Sequence, residues 1–406
     1  MRRSAGVFLL AVSLLAGGIS SAATAAGPVS SDDKLRQFMA QVRPQPAASL
    51  AGGQAVREAA AVSPARLQER AELLKTGETA LAGMQLDAAL QAFERAALIL
   101  HAADTEMALV RSYMQSGEYR RALAFGAHTA GAHLDVVGGS ALYAWLLHAG
   151  GQTAIAQRLL TEAQGRSPGN AVVDAVQQQL RSGTPLASGN LRLPPTRLAP
   201  YGDSRGLAPG ARVIGSGLLL HSGKQAVVPL VLVRRSGILW LRNGLGQLTQ
   251  ARVTQRLTTA GVALVNLDRS LPVPDDLWVA TRDAFPGSVG FAIEYAAAPD
   301  AAPAWPLLRT GFLGGVSDSG ATRLLGIDMP SGPRGGPVFD AGGRLIGLAL
   351  PGKPGAPDRL LLNSGLPREL RAGLAPAAPT STEPRASADR IYEIGLKASL
   401  QVIAVP

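Results

Sequence analysis

A glycine-rich stretch in the last quarter of the chain has the residue types and spacing of a loop that can hold a ligand oxygen with its backbone N–H groups. Residues 332–340 read Gly-Pro-Arg-Gly-Gly-Pro-Val-Phe-Asp, and a turn at 341–343 leads into the apolar run 345–350. Adjacent glycines permit a tight backbone turn and bring N–H groups close to a ligand oxygen. The pattern predicts a loop, a strand, a turn and a second strand. Arg334 stays protonated, so it offers a fixed cation but no nucleophile or base.

This arrangement resembles the nucleophile loop of trypsin-like (chymotrypsin-fold) serine peptidases, in which Gly-Asp/Asn-Ser-Gly-Gly-Pro precedes a strand, a turn and a strand. Residues 215–220 (Gly-Ser-Gly-Leu-Leu-Leu) are similar to the opening strand of the bacterial periplasmic members. Residues 261–268 (Gly-Val-Ala-Leu-Val-Asn-Leu-Asp) are similar to their Asp-containing strand. The resemblance covers about residues 207–372. It places the catalytic His at Leu230 or Val231, the Asp at Gly261 and the Ser at Arg334, which implies a pseudo-peptidase without a triad.

The distribution of histidine agrees with that interpretation. A serine triad needs an imidazole that accepts the serine proton. After residue 148 the chain has one histidine, His221, in a predicted turn that the resemblance places away from the site. The Asp-Ser-Gly at 318–320 is a superficial echo of a nucleophile loop, because Ala-Thr follows instead of Gly-Pro. A divergent serine endopeptidase with an unrecognised nucleophile is the alternative.

The glycine-rich loop at residues 332–336 has two possible roles. Under the resemblance, the N–H groups of Gly332 and Arg334 occupy the positions that bind an oxyanion in active relatives. With the Arg334 cation beside them, Gly332, Arg334, Gly335 and Gly336 would bind a carboxylate such as a peptide C-terminus. We favour the structural alternative, in which Gly335, Gly336 and Pro337 shape the loop and Arg334 points to solvent.

The N-terminal half contains a repeat. Ala89, Ala122 and Ala156 lie 33 and 34 residues apart in similar settings. A 34-residue period with small residues at fixed positions is typical of paired helices that stack on their neighbours. It resembles the tetratricopeptide repeat, with three units over about residues 67–170 and a capping helix at 171–182. Such arrays hold peptides or proteins on a concave surface; the alternative is a brace packed against the second half.

Four of the five histidines fall in this helical half: His101, His128, His133 and His148. Their separations do not match metal-ligand motifs, and none lies beside a candidate nucleophile. We therefore predict surface or packing histidines. With no Cys, no metal-ligand cluster recognisable by spacing and no phosphate-binding loop, no cofactor and no metal is expected.

The composition and the N-terminal sequence limit the classes of protein to which the chain can belong. The 406 residues are 47% hydrophobic and 17% charged, which is typical of a globular chain of two or three domains. The net charge is +10, but Lys and Arg are scattered without aromatic interleaving, so nucleic-acid binding is not expected. Residues 1–26 have the basic end, apolar stretch and small-residue cleavage site of a secretory leader. No later stretch is apolar enough to span a membrane.

The predicted fold is α+β and multidomain, with an N-terminal α-solenoid of tetratricopeptide-like helix pairs and an all-β double-barrel trypsin-like domain. The predicted segments are a signal peptide (1–26), a linker with a short helix (27–64), the repeats (65–183), a connector (184–206), the β-barrel domain (207–373), a Pro/Ala-rich linker (374–388) and a C-terminal docking tail (389–406). The tail has strand character and is expected to pair with a sheet edge, on this molecule or another.

We predict a non-catalytic adaptor that binds peptide or protein partners in the cell envelope, with its main groove in the helical repeats and a second site in the degenerate peptidase-like domain. The leader and the absence of cysteine favour the periplasm of a Gram-negative bacterium, with secretion as the alternative address. Two other functions remain open. One is the divergent trypsin-like serine endopeptidase, and the other is a cationic structural protein that binds envelope polymers.

Overall fold

The computed structural model describes residues 62–182, 200–233, 237–316, 322–329, 334–353, 355–374, 376–377 and 385–406. The predicted leader, the short helix after it and most of the connector lie outside these ranges. So do Gly332 and the Asp-Ser-Gly sequence at 318–320. Among the described residues, no helix combines the length and apolarity needed to cross a membrane.

Helices fill the first described range, as the 34-residue period predicts. They are α1 (Pro64–Ala82), α2 (Leu86–Ile99), α3 (Ala103–Gln115), α4 (Tyr119–Ala132), α5 (Val137–Ala149), α6 (Thr153–Arg166) and α7 (Ala171–Ser182). The first six form three consecutive packed pairs, and α7 packs on α5 and α6 where the capping helix is expected. Ala89, Ala122 and Ala156 are fully buried, because the small side chain lets neighbouring helices approach closely.

The first helix pair shows how sequence sets this packing. Ser63 caps α1 by accepting a hydrogen bond from the Arg66 N–H, and Pro64 occupies the first turn, where its missing N–H costs nothing. Gly77 of α1 lies directly against the buried ring of Phe93 on α2, and a Cβ at position 77 would collide with that ring. Close contact between α1 and α2 therefore requires glycine at this position.

The β half contains two six-stranded sheets. The strands are β1 (Arg212–Leu219), β2 (Gln225–Pro229), β3 (Ile238–Asn243), β4 (Leu248–Leu257), β5 (Val262–Leu267), β6 (Val289–Glu294), β7 (Leu307–Phe312), β8 (Thr322–Leu324), β9 (Pro337–Asp340), β10 (Leu345–Leu350), β11 (Arg359–Leu362) and β12 (Ser399–Ala404). The first sheet is a closed barrel in the order β1-β12-β3-β4-β5-β2, and the second has the order β7-β6-β9-β10-β11-β8. Two helices, α8 (Arg368–Leu374) and α9 (Ala388–Ala398), follow β11.

The C-terminal tail completes the first barrel. β12 lies between β1 and β3 and is antiparallel to both, so Leu400 opposes Gly217 on one side and Asn243 on the other. Every residue of β12 is buried. The barrel core comprises alternating apolar residues of all six strands, including Leu219, Val228, Leu241, Ala251, Val265, Leu400 and Val402. The tail thus pairs within its own chain, a choice that the sequence left open.

Two expectations for the β half need correction. Among the described residues the second sheet is not a closed barrel; its end strands approach through hydrogen bonds between residues 314–315 and Leu324 and through one isolated bridge between Val316 and Arg323. The short apolar segment Leu277 to Ala280 also predicts a strand, but it forms none, since Val279 makes only isolated bridges there. The polar strand β4 and the strands β7 and β11 were not predicted. Much of β4 faces solvent, so it lacks the apolar run that marks its neighbours.

The helical half packs against the β half. Trp145 of α5 contacts Trp305 with ring centroids 4.9 Å apart, and Tyr119 of α4 contacts Tyr392 of α9 at 4.6 Å. The Gln115 side chain donates to the carbonyl of Leu245 at 2.6 Å. Helices α3 and α5 are buried on almost every face. The second and third repeats therefore brace the β half and do not present an open groove there.

Candidate functional site

The fold brings together the three positions that the resemblance assigned to a catalytic triad. The Leu230 N–H donates to the carbonyl of Gly261 at 2.9 Å, which places the turn after β2 beside the start of β5. Gly335 packs against Ser216 and Pro229, at the end of β2. Its φ is +137°, and a Cβ there would collide with the Ser216 carbonyl oxygen, so only glycine fits.

The groups at these positions do not form proton-transfer machinery. Val231 is 69% exposed and presents an isopropyl group. Gly261 has a left-handed φ of +72° and no side chain. Arg334 supplies a guanidinium, which has no acceptor for a proton. None of these three residues therefore supplies a nucleophile or accepts a proton from one.

Arg334 is held by a carboxylate of its own chain. Its Nε donates to Asp358 Oδ2 at 2.7 Å, and its Nη2 lies 2.6 Å from the same oxygen. The Arg334 side chain is only 11% exposed, so the expectation that it points to solvent is wrong. An external carboxylate would have to compete with Asp358 for this cation.

Glu294 is a buried carboxyl group beneath the same loop, and no motif in the sequence marks it. It lies at the end of β6 and accepts the N–H groups of Gly335 at 3.2 Å and Gly336 at 3.0 Å. Burial raises its pKa to about 7, although hydrogen bonds from Ser216 and Gly336 act in the opposite direction. The two glycine amides therefore already have an internal acceptor. The only signal in the sequence is a lone acidic residue at the end of an apolar strand.

His221 lies away from these positions. It is exposed in the turn between β1 and β2, and its backbone N–H donates to the carbonyls of Gly373 and Leu374 at the end of α8. Pro229, which contacts the Gly335 loop, is at the opposite end of β2, about 13 Å along the strand. The position of His221 therefore agrees with the prediction that this residue lies away from the glycine-rich loop.

A groove of about 480 Å³ runs beside Val231. Its walls are formed by the start of β1, the turn after β2 and the segment after β6, with Arg212, Val213, Ile214, Val231, Leu232, Ala297, Ala298 and Pro299 as lining residues. The lining is apolar apart from the exposed Arg212. The groove can accept an apolar side chain of a ligand next to Val231. An acidic group of the same ligand would then lie near Arg212.

The sequence predicts surface or packing histidines in the helical half. Three of the four instead share one partner. His101, His128 and His133 all approach the buried carboxylate of Glu106. His148 does behave as a packing histidine: it is buried at the end of α5, and its Nδ1 lies 3.0 Å from the Thr153 hydroxyl. Burial, together with the charge of Arg309, lowers the pKa of His148 to about 4.

The fold is an array of helical repeats joined to a β domain that contains one closed barrel and one open six-stranded sheet. No family model matches the sequence, and no curated protein matches it. Among solved structures, the Arabidopsis OM64 TPR domain is 13% identical, with 29% of this chain and 98% of that domain covered and a TM-score of 0.26. The active form of the Rv3671c protease from M. tuberculosis is 15% identical, with 42% and 84% covered and a TM-score of 0.27.

A serine endoprotease from Yersinia pestis is 11% identical, with 39% of this chain and 61% of that protein covered and a TM-score of 0.28. All three similarities are partial and weak. They carry no argument about activity, so the functional reasoning depends on the groups at the site.

Proposed function

We propose that this protein is a non-catalytic scaffold of the periplasm that binds an extended peptide segment of a partner protein through its β domain. One observation carries the proposal: the converging positions hold Val231, Gly261 and an Arg334 paired with Asp358. These groups cannot activate a hydroxyl or transfer its proton. Recognition without turnover is the function that such a site supports.

The groove beside Val231 is the proposed binding surface. Its side chains are mostly aliphatic, and Val231 is exposed although it is apolar. Burying such a side chain against a ligand is favourable by about 1.5–3 kcal/mol. Arg212 at the rim adds a preference for an acidic neighbour. The ligand class is therefore an extended peptide with one apolar anchor next to an Asp or Glu.

The helical repeats would act mainly as a brace. Contacts such as Trp145 with Trp305 and Gln115 with Leu245 occupy the faces of α3 and α5 that an open repeat array would offer to a partner. We therefore assign partner binding to the β domain and stiffening to the repeats. This differs from the sequence-based hypothesis, in which the repeats supply the main groove.

Photo-crosslinking in the native host tests the proposal. A photoreactive amino acid at position 231 should capture a discrete partner, whereas the same group at position 98 on α2, where Leu98 is 67% exposed, should not. Purified protein carrying Val231→Asp should lose at least about tenfold in affinity for the captured peptide, with Leu98→Asp as the matched control. Fractionation of the cells checks the periplasmic address.

A fluorophosphonate probe and an unfolded protein substrate, applied to the same purified chain, complete the test. Neither labelling nor cleavage is expected. A labelled serine or substrate turnover would instead support the divergent endopeptidase. Retention on envelope polymers that salt abolishes, without a captured peptide, would support the cationic structural protein.

A further inference from the structure

Four residues of the helical half form a cluster that peptide binding does not use. His101 lies in the connection between α2 and α3, Glu106 in α3, His128 in α4 and His133 just after α4. The three histidines direct the same ring atom, Nε2, toward the Glu106 carboxylate. Glu106 is 1% exposed and His133 6%, whereas the His101 side chain is 32% exposed at the outer edge. The cluster is thus buried but can be reached from solvent.

Ligand atoms of His101, Glu106 and His133 all lie within 4.8 Å of one another, close enough for one ion, and His128 approaches this group from the side of His101. His101 Nε2 is 3.2 Å from His128 Nε2, His128 Nε2 is 3.2 Å from Glu106 Oε1, and His133 Nε2 is 3.4 Å from Glu106 Oε2. Four tetrahedral ligands at 2.0–2.1 Å from a zinc ion stand about 3.3 Å apart. One contact, His101 Nε2 to Glu106 Oε1 at 2.5 Å, is closer and would have to open by about 0.8 Å. His101 lies in a connecting segment, where such a shift is easiest.

Protein contacts account for the cluster only in part: one hydrogen bond joins His101 Nε2 and His128 Nε2, and the three histidines pair with Glu106 as ions only when they are protonated. Within the described residues, neither oxygen of Glu106 has a hydrogen bond of normal alignment, nor has Nε2 of His133, although the atoms are close. A buried carboxylate without such partners is unfavourable, and two imidazole lone pairs 3.2 Å apart repel each other unless a proton or a cation lies between them. A divalent cation accepts all of these lone pairs at once.

We infer that His101, Glu106, His128 and His133 form a binding site for a divalent transition-metal ion, which we assign as Zn²⁺. Imidazole and carboxylate without thiolate suit zinc, copper or nickel, and four protein ligands fill a tetrahedral shell. A filled shell leaves no position for a substrate, so the metal would be structural. It would join the α2–α3 connection to α3 and α4, and thereby fix the first repeat to the second.

Metal titration of the tag-free full chain, after treatment with a chelator, tests this assignment. Calorimetry with ZnCl₂ should show one site per chain, zinc should raise the Tm, and X-ray absorption should show N/O ligands at about 2.0 Å with imidazole scattering. His101→Ala should weaken binding by roughly 100-fold, while His221→Ala, which removes an exposed histidine of the β half, should leave it unchanged.

His128→Ala provides a second test if His101→Ala fails to fold by circular dichroism. The inference is overturned if zinc produces no saturable heat, or if His221→Ala weakens binding as much as the cluster variants do. It is also overturned if the X-ray absorption spectrum shows six oxygen neighbours and no imidazole scattering, which is the pattern of a hydrated ion. Saturable binding of Cu²⁺ or Ni²⁺ without Zn²⁺ would overturn the choice of zinc.

Discussion

Replacing Glu294 with Gln should change how the stability of this protein depends on pH. The Glu294 carboxyl is 2% exposed, and burial raises its pKa from 4.5 to about 7. Between these two pH values the folded chain keeps a proton that the unfolded chain has released. The Glu294 contribution to the free energy of unfolding is therefore fully present below about pH 4.5 and falls as the pH rises to about 7.

The size of this effect follows from the shift. One pKa unit corresponds to about 1.4 kcal/mol, so a rise from 4.5 to about 7 removes about 3 kcal/mol across the interval. The amide oxygen of Gln can accept the same hydrogen bonds from Gly335 and Gly336, but the side chain carries no charge at any pH. We expect Glu294→Gln to match the wild type within about 1 kcal/mol at pH 5 and to exceed it by about 3 kcal/mol at pH 8.

Urea unfolding at pH 5, 6, 7 and 8, followed by tryptophan fluorescence, measures this difference. Glu72→Gln is the matched control, because Glu72 is exposed on α1, and it should not shift the pH profile. Other carboxyl groups titrate equally in both proteins, so the difference between them isolates Glu294. An equal difference at pH 5 and pH 8, or a variant less stable than the wild type at pH 8, would refute the reasoning.

Three further perturbations test the packing. Gly77→Leu should destabilise the repeats by about 1–3 kcal/mol, since the side chain collides with Phe93, whereas Gly165→Ala on α6 has open space and should be tolerated; thermal circular dichroism compares them. Asp358→Asn should cost about 1–3 kcal/mol by removing the carboxylate charge that pairs with Arg334, and replacing both residues by Leu should recover part of that loss in urea titrations. Removal of residues 399–406 should abolish the near-ultraviolet circular dichroism of the first barrel, because β1 and β3 lose their shared partner; a native spectrum would contradict the topology.

Regular patterns made the helical half predictable. The 34-residue spacing of Ala89, Ala122 and Ala156 reflects a local rule, since small residues must recur wherever helices of successive pairs cross. The apolar runs of the core strands, such as β5 and β10, are local in the same sense, and the predicted strands overlap them. The apolar pattern does not reveal β4, because four of its ten residues are exposed and carry polar side chains.

The candidate sites were less predictable because their contacts are distant in sequence. The histidine cluster joins residues 101, 106, 128 and 133, and their separations follow from how α3 and α4 pack, with no motif to mark them. Asp358 pairs with Arg334 across 24 residues, and Glu294 reaches Gly335 across 41. No rule of local spacing predicts which carboxylate a buried cation or amide will find.

The sequence by itself determined the order of the parts, a helical array and then a β domain. It also determined which groups stand at the three assigned positions: Val231, Gly261 and Arg334 offer no nucleophile and no proton acceptor, and folding cannot supply a side chain that is absent. Only the tertiary structure decided that β12 closes the first barrel of its own chain, that α4 and α5 pack against α9 and β7, and that three histidines converge on Glu106. Each of these depends on the burial of surfaces far apart in the chain, and the free energy of that burial belongs to the whole fold.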